Sequence, residues 1–427
     1  MIGLTVLGMF ILLAMSVAVA ASILTLGFFT GAFFSPFPLH SALGDVLWSA
    51  SDSFLLIAIP LFVLIGEILV RTGLAKNMYA AMEAWLSWLP GGLLHANLGT
   101  ATLFSATSGS SVATAAIVSS VAMPQAKPLG YGQQLFAGSI AAGGTLGIII
   151  PPSISLIIYG FLTQTSVPKL FAAGLIPGLM LASMFVLGTI SICIFRPEMG
   201  GPRRQYDLMT RLRALVHLIP VLILFSLIVG SIYAGWATPT EGAALGVLGA
   251  LTIAAAMRML TIRIIIEALD STMRTSGMIL IIVVSAYYLN FVLAAAGINK
   301  DIENLIQGAN FGPYQTLFMV ILVYFLLGLF IETISLLVLT VPIVFPIVMA
   351  QGFDPIWFGI IAILMIEMAL ITPPVGLNLF VVQGARKDGP FIDVIIGIIP
   401  YIVIMMIAIV FVIIFPGIAT FLPDLLN

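Results

Sequence analysis

Apolar stretches long enough to cross a lipid bilayer recur from one end of this chain to the other, and no other feature limits its fold as strongly. A transmembrane helix needs about 20 mainly apolar residues. Runs such as Ile279–Val284 and Ile402–Ile414 are unbroken. A membrane β-barrel would instead alternate lipid-facing and lumen-facing residues. Charged residues are 7% of the 427 and apolar ones 61%, with a mean hydropathy of +1.23. A soluble domain carries about 25% charge. The chain therefore reads as an all-α polytopic membrane protein. Spans are expected at about 4–29, 53–70, 131–163, 170–195, 214–233, 241–258, 275–296, 355–385 and 391–416. Leu4–Phe29 is too long for a signal-peptide core and lacks a charged lead segment, so it reads as a mature span.

Several functions fall away. The net charge of −2 and the lack of a basic stripe argue against a nucleic-acid partner. Cys193 is the single cysteine, and His40, His95 and His217 lie far apart, so no metal-ligand spacing exists. There is no G-x-x-x-x-G-K-[ST] loop for ATP. No nucleophile pairs with a histidine, so the chain is not read as an enzyme.

Two further apolar stretches, about 93–123 and 313–349, are read as re-entrant hairpins. With the N-terminus cytoplasmic and each span crossing once, thirteen of the fifteen cations then fall inside. Only Lys169 and Lys300 fall outside, together with the C-terminus. That bias is what the positive-inside rule expects. Residues 197–213, rich in arginine, glycine and proline, read as the main cytoplasmic linker.

The halves also resemble each other at one fixed offset of 222 residues. Pro124 pairs with Pro346, Gly130 with Gly352, Phe136 with Phe358, and Pro151-Pro152 with Pro373-Pro374. The connecting span, within 214–240, inverts the second half (241–427) against the first (1–196). Inverted repeats with a midplane site are a recurring plan of secondary transporters. Leu74–Pro90, with Trp85 and Trp88, suits a helix lying in the interface. Its counterpart, 299–310, is short and polar.

The first hairpin centre is Ser105-Ala-Thr-Ser-Gly-Ser-Ser111, a poor helix interior. The second is Gly328-Leu-Phe-Ile-Glu-Thr-Ile-Ser335. Each Pro-Pro pair removes two backbone donors and marks an unwound point in its helix. Carbonyl oxygens freed there suit hard cations such as Na⁺. One ion site is expected from Ser105, Ser108, Gly147, Ile150 and Pro152, and a second from Gly328, Ala369, Thr372 and Val375. Ser110, Thr333 and Asn378 are placed to face substrate. No Arg or Lys lies at the membrane centre, so an anionic substrate would meet helix N-termini, hydroxyls and bound cations. Glu67, Glu241 and Glu367 are the other intramembrane acids. Helix capping accounts for Glu241, whereas proton relay and structural pairing both remain open for Glu67 and Glu367.

The runs SGSSVATAAIV (Ser108–Val118), GTLGIIIPPS (Gly144–Ser153), AGLIPG (Ala173–Gly178), ATPTEGAALG (Ala237–Gly246) and TPPVGLNLF (Thr372–Phe380) resemble the large, or M, subunit of tripartite ATP-independent periplasmic (TRAP) transporters. The likeness covers nearly the whole chain. It implies an inverted-repeat, elevator-type secondary transporter in a bacterial or archaeal inner membrane. The implied activity is sodium-coupled import of a carboxylate such as a C4-dicarboxylate or sialic acid. It implies two partners, a small four-helix membrane subunit and a periplasmic substrate-binding protein, with the small subunit a separate polypeptide. The family's sodium sites also lie at hairpin tips and broken helices. Glu332 at the second tip and Ala369 opposite Gly147 depart from its pattern. A self-sufficient proton-coupled organic anion exchanger is the alternative reading.

Overall fold

The computed structural model describes residues 7–9, 11–12, 15–297, 311–386 and 388–425. Among them every regular element is helical. The chain enters through α1 (Val19–Phe34) and a short α2 (Leu43–Ser51), then α3 (Ala58–Arg71) and the surface helix α4 (Leu74–Leu86). The first hairpin is α5 (Leu93–Ser108) and α6 (Ser111–Ala126); the first broken helix is α7 (Gln133–Ile149) and α8 (Ile154–Thr163). After α9 (Val167–Phe195) the linker leads to α10 (Leu208–Tyr233), α11 (Pro239–Ala256) and the 34-residue α12 (Ile262–Ala295). The second hairpin is α13 (Pro313–Gly328) and α14 (Thr333–Ala350), followed by the broken pair α15 (Pro355–Leu370) and α16 (Leu377–Arg386). Helices α17 (Phe391–Ile414) and α18 (Gly417–Leu425) end the chain.

Seven described helices are long and apolar enough to cross a membrane, and α7–α8 makes an eighth with a 41° bend. One of the seven is α14, which pairs with α13 as the arm of a hairpin. The arms α5 and α6 have 16 residues each. That is about 24 Å of helix, short of the roughly 30 Å hydrocarbon core, and the two arms pack on each other. In both stretches expected to double back, two helices joined by a short break pack on each other.

The offset of 222 governs the helix starts. Helix α6 begins at Ser111 and α14 at Thr333; α7 begins at Gln133 and α15 at Pro355. Gly130 and Gly352 hold matching left-handed turns, φ +72° and +82°, a conformation that glycine adopts without steric cost. Packing repeats as well. The second hairpin arm of each half lies on the other half's second broken piece, α6 on α16 and α14 on α8. The halves are thus interlocked rather than side by side. A second group, α1, α3, α10, α11 and α12, packs largely on itself.

Two spans differ from expectation. The first was expected over 4–29, but the helix starts at Val19 and ends at Phe34, with Ser35 as its cap ahead of Pro36. Ser16 turns left-handed at φ 59° and separates it from the helical residues before it; uniform hydropathy across this run hides the turn. The span expected over 275–296 is only the later part of α12. Its polar start is held helical by the Thr261 cap and by the pairs Arg263–Glu267 (2.7 Å) and Asp270–Arg274 (2.9 Å), each four residues apart. Glu67 pairs with Arg71, whose Nη2 also donates to Ser271 Oγ at 2.7 Å, tying α3 to α12. Glu241 and Thr238 form a reciprocal capping box, as expected. The segment 299–310, with Lys300, lies outside the described residues, as does Lys387.

The linker is strapped to α4. Arg204 pairs with Glu83 at 2.8 Å, Tyr206 donates to the same carboxylate, and Trp85 Nε1 donates to the Arg211 carbonyl. Burial and the Glu83 charge together raise the Tyr206 phenol above its ordinary value.

Candidate functional site

The first hairpin tip is rich in hydroxyls, and one of them, Ser110, caps backbone freed at the break. Helix α5 ends at Gly109, whose φ of +59° gives the left-handed cap. Ser110 begins the next helix by accepting from the Ala113 amide. Ser105 Oγ donates to the Ala101 carbonyl at 2.6 Å, and Ser108 Oγ shares a hydrogen bond with Thr114 Oγ1 at 2.9 Å. The tip lies directly on the broken helix. A methyl group at Gly147 would sit 2.6 Å from the Ser110 carbonyl oxygen, and one at Gly109 would sit 3.1 Å from that of Pro152. Ile150 leaves helical geometry at ψ 122°. Ser105, Ser108, Gly147, Ile150 and Pro152 are all buried. The structure thus brings Gly109, Ser110 and Ser111 of the tip onto Gly147 and Pro152, while Ser105 and Ser108 are buried at the adjoining end of α5.

The second set gathers less tightly. A methyl at Gly328 would lie 2.3 Å from Ala369 Cβ, so the end of α13 rests on α15. Thr372 Oγ1 donates back to the Met368 carbonyl at 2.6 Å. Pro374 is exposed and Val375 half-buried, whereas Pro151 and Pro152 are both buried. Glu332 is explained by its position. It stands 222 residues after Ser110 and does the same work, capping α14 by accepting from the Ile334 and Ser335 amides. A carboxylate at a helix N-terminus also meets a favourable dipole.

Between the two sets lies a polar junction that sequence reasoning did not assemble. Ser111 Oγ donates to Glu367 Oε2, joining α6 to α15. Glu367 is fully buried and its Oε1 has no partner among the described residues. Asn378 is fully buried too, with Nδ2 3.5 Å from the Ala141 carbonyl and Oδ1 unpartnered. Gly144 lies beside both Asn378 Nδ2 and the Ser111 carbonyl. Thr333, at the first turn of α14, is buried as well. No run of sequence signals the Ser111–Glu367 contact, which spans 256 residues. The described residues hold no cluster of three or more His, Cys, Asp or Glu. A cation here would be held by carbonyl, hydroxyl and amide oxygens, a donor set that suits hard ions.

The model of the tripartite ATP-independent periplasmic transporter family, DctM component, matches residues 6–418. The chain belongs to that family. It is 34% identical over 397 residues to the C4-dicarboxylate TRAP transporter large permease protein DctM of Rhodobacter capsulatus, covering 89% of each chain. It is 32% identical to the sialic acid TRAP transporter large permease protein SiaM of Vibrio cholerae, covering 88% of this chain and 87% of the other. Among solved structures, the Alcanivorax borkumensis YdaH transporter shares the fold, with a TM-score of 0.65 at 13% identity over 93% of this chain and 97% of that one. The family is one of transporter permeases, and the expectation of a non-enzymatic membrane protein agrees with it.

Proposed function

We propose that this chain is the large membrane subunit of a sodium-coupled, binding-protein-dependent importer of an organic acid. The observation that carries the proposal is the seating of a hydroxyl-rich hairpin tip, Ser105–Ser111, on the unwound Gly147–Pro152 break, repeated in outline at Gly328 and Ala369–Val375. Each break leaves carbonyl oxygens without helical partners, and Na⁺ binds such oxygens. Relatives named for C4-dicarboxylate and sialic acid point to a carboxylate substrate. Its charge would be met by the N-terminus of α6, by bound Na⁺, and by Ser110, Thr333 and Asn378; the N-terminus of α14 already holds the Glu332 carboxylate.

In this reading the N-terminus is cytoplasmic and the C-terminus periplasmic, in an inner membrane. The hairpins and broken helices slide as an elevator against the group α1, α3, α10, α11 and α12. A small four-helix membrane subunit braces that group, and a periplasmic binding protein delivers the substrate. The test is uptake into liposomes holding this chain and a candidate small subunit, with and without binding protein and an inward Na⁺ gradient. Uptake should require both, and Ser108→Ala and Thr372→Ala should each impair it. Uptake by this chain alone, without Na⁺, would refute the proposal and select a self-sufficient proton-coupled exchanger.

A further inference from the structure

Away from the transport site, a groove of about 460 Å³ opens between α7, α9 and α17, where α9 meets the arginine-rich linker. That size is within the roughly 300–1,000 Å³ of ordinary ligand sites. Ile192, Phe195, Ile399 and Pro400 are among its apolar lining residues. Phe195 and Ile399 are strongly exposed, so in a bilayer this side faces lipid. Arg196 is the cation in the lining. Its side chain is exposed and makes no ion pair or hydrogen bond among the described residues. The nearby acid on α17, Asp393, does not compete for it. Asp393 is held by Arg386 at 2.7 Å and by Gln134 Nε2 at 3.1 Å.

The groove therefore joins a lipid-facing apolar trough to one unpaired guanidinium at the level where a helix leaves the membrane. We propose that it binds an anionic phospholipid, with an acyl chain between α9 and α17 and the headgroup phosphate on Arg196. A guanidinium matches phosphate with a pair of parallel hydrogen bonds. A free anion has no use for the apolar walls, and in a zwitterionic phospholipid the choline cation offsets the phosphate that would meet the arginine. Gly397 lines the same groove and crosses α7 at backbone contact, so a bound lipid braces that crossing.

The test uses the full chain purified in detergent, with phosphatidylglycerol or phosphatidylcholine added to the micelles. Native mass spectrometry reads the retained lipid, and thermal unfolding reads stabilisation. Wild type should retain phosphatidylglycerol about fivefold over phosphatidylcholine, the preference that one basic side chain near an anionic surface supplies. Arg196→Gln should lose the preference and Arg196→Lys should keep part of it. Ser191→Trp, on the exposed groove wall, should lower retention with Arg196 intact. Equal retention of both lipids by wild type would overturn the proposal. So would an undiminished preference in Arg196→Gln and Ser191→Trp, or equal protection by inorganic phosphate alone.

Discussion

Gly147→Ala tests the proposed first ion site through one atom. The added methyl would lie 2.6 Å from the Ser110 carbonyl oxygen and 2.9 Å from the Ser111 amide nitrogen, whereas ordinary contact begins at 3.4 Å. The tip must retreat by about 0.8 Å, because both obstructing atoms are backbone and cannot rotate away. That retreat moves the Ser105–Ser108 end of α5 off the unwound carbonyls, while α7 itself gains a better helix former. A misplacement near 1 Å costs on the order of 10²-fold where binding geometry is strict. Na⁺-dependent uptake in liposomes should thus fall roughly tenfold to 10²-fold, with a raised Na⁺ requirement. Gly277→Ala is the control, since nothing lies within 4 Å of its added methyl. Unchanged uptake and unchanged Na⁺ dependence in Gly147→Ala would show that the tip and the break do not share an ion.

Gly397→Ala should destabilise the protein by about 1–3 kcal/mol in thermal unfolding, the usual cost of overpacking, because its methyl would meet the Gln134 carbonyl at 1.8 Å. Gly277→Ala should instead be neutral or gain about 0.5–1 kcal/mol, and similar melting of the two variants would contradict the crossing. Ser111→Ala should cost about 1–3 kcal/mol by leaving the buried Glu367 carboxyl unpartnered, and adding Glu367→Leu should recover part of it. Strict additivity of the two changes in unfolding experiments would mean that the side chains do not interact.

Much of the architecture was legible because prolines and glycines stand out against an apolar background. Pro151-Pro152 and Pro373-Pro374 located both breaks, and the offset between them locates the starts of α6 and α14 and of α7 and α15. Glu241 was readable as a cap because Thr238 precedes it by three residues. What stayed hidden has physical causes. The polar start of α12 is helical through side-chain pairs and a cap, which a hydropathy window does not weigh. The role of Glu332 emerges only when it is aligned with Ser110, because a carboxylate and a hydroxyl can cap the same turn. The Ser111–Glu367 contact depends on how α6 meets α15, and no local pattern encodes a meeting of that kind.

The elevator motion proposed above requires two bodies that are each stiff and that slide past one another, and the glycines distinguish these cases. Inside the hairpin body, added methyls at Gly138, Gly147 and Gly174 would meet backbone oxygens at 2.0, 2.6 and 2.5 Å. Inside the other body, Gly246 of α11 would place its methyl 2.5 Å from Ile65 of α3. The hairpin-body contacts are to backbone, which cannot rotate away, whereas Gly246 meets a side-chain end; both are close packing that resists shear. Where α3 meets the first tip the contact differs. A methyl at Gly66 would sit 3.5 Å from Ser108 Cα, at ordinary van der Waals distance, and the residue it faces belongs to the candidate ion site. Glycine thus locks each body where a side chain would not fit, and at Gly66 it leaves a smooth surface where one would. A tip that carries its ion site across the membrane must pass such a surface without catching, and a bulky residue at Gly66 would be an obstacle to that passage rather than to folding.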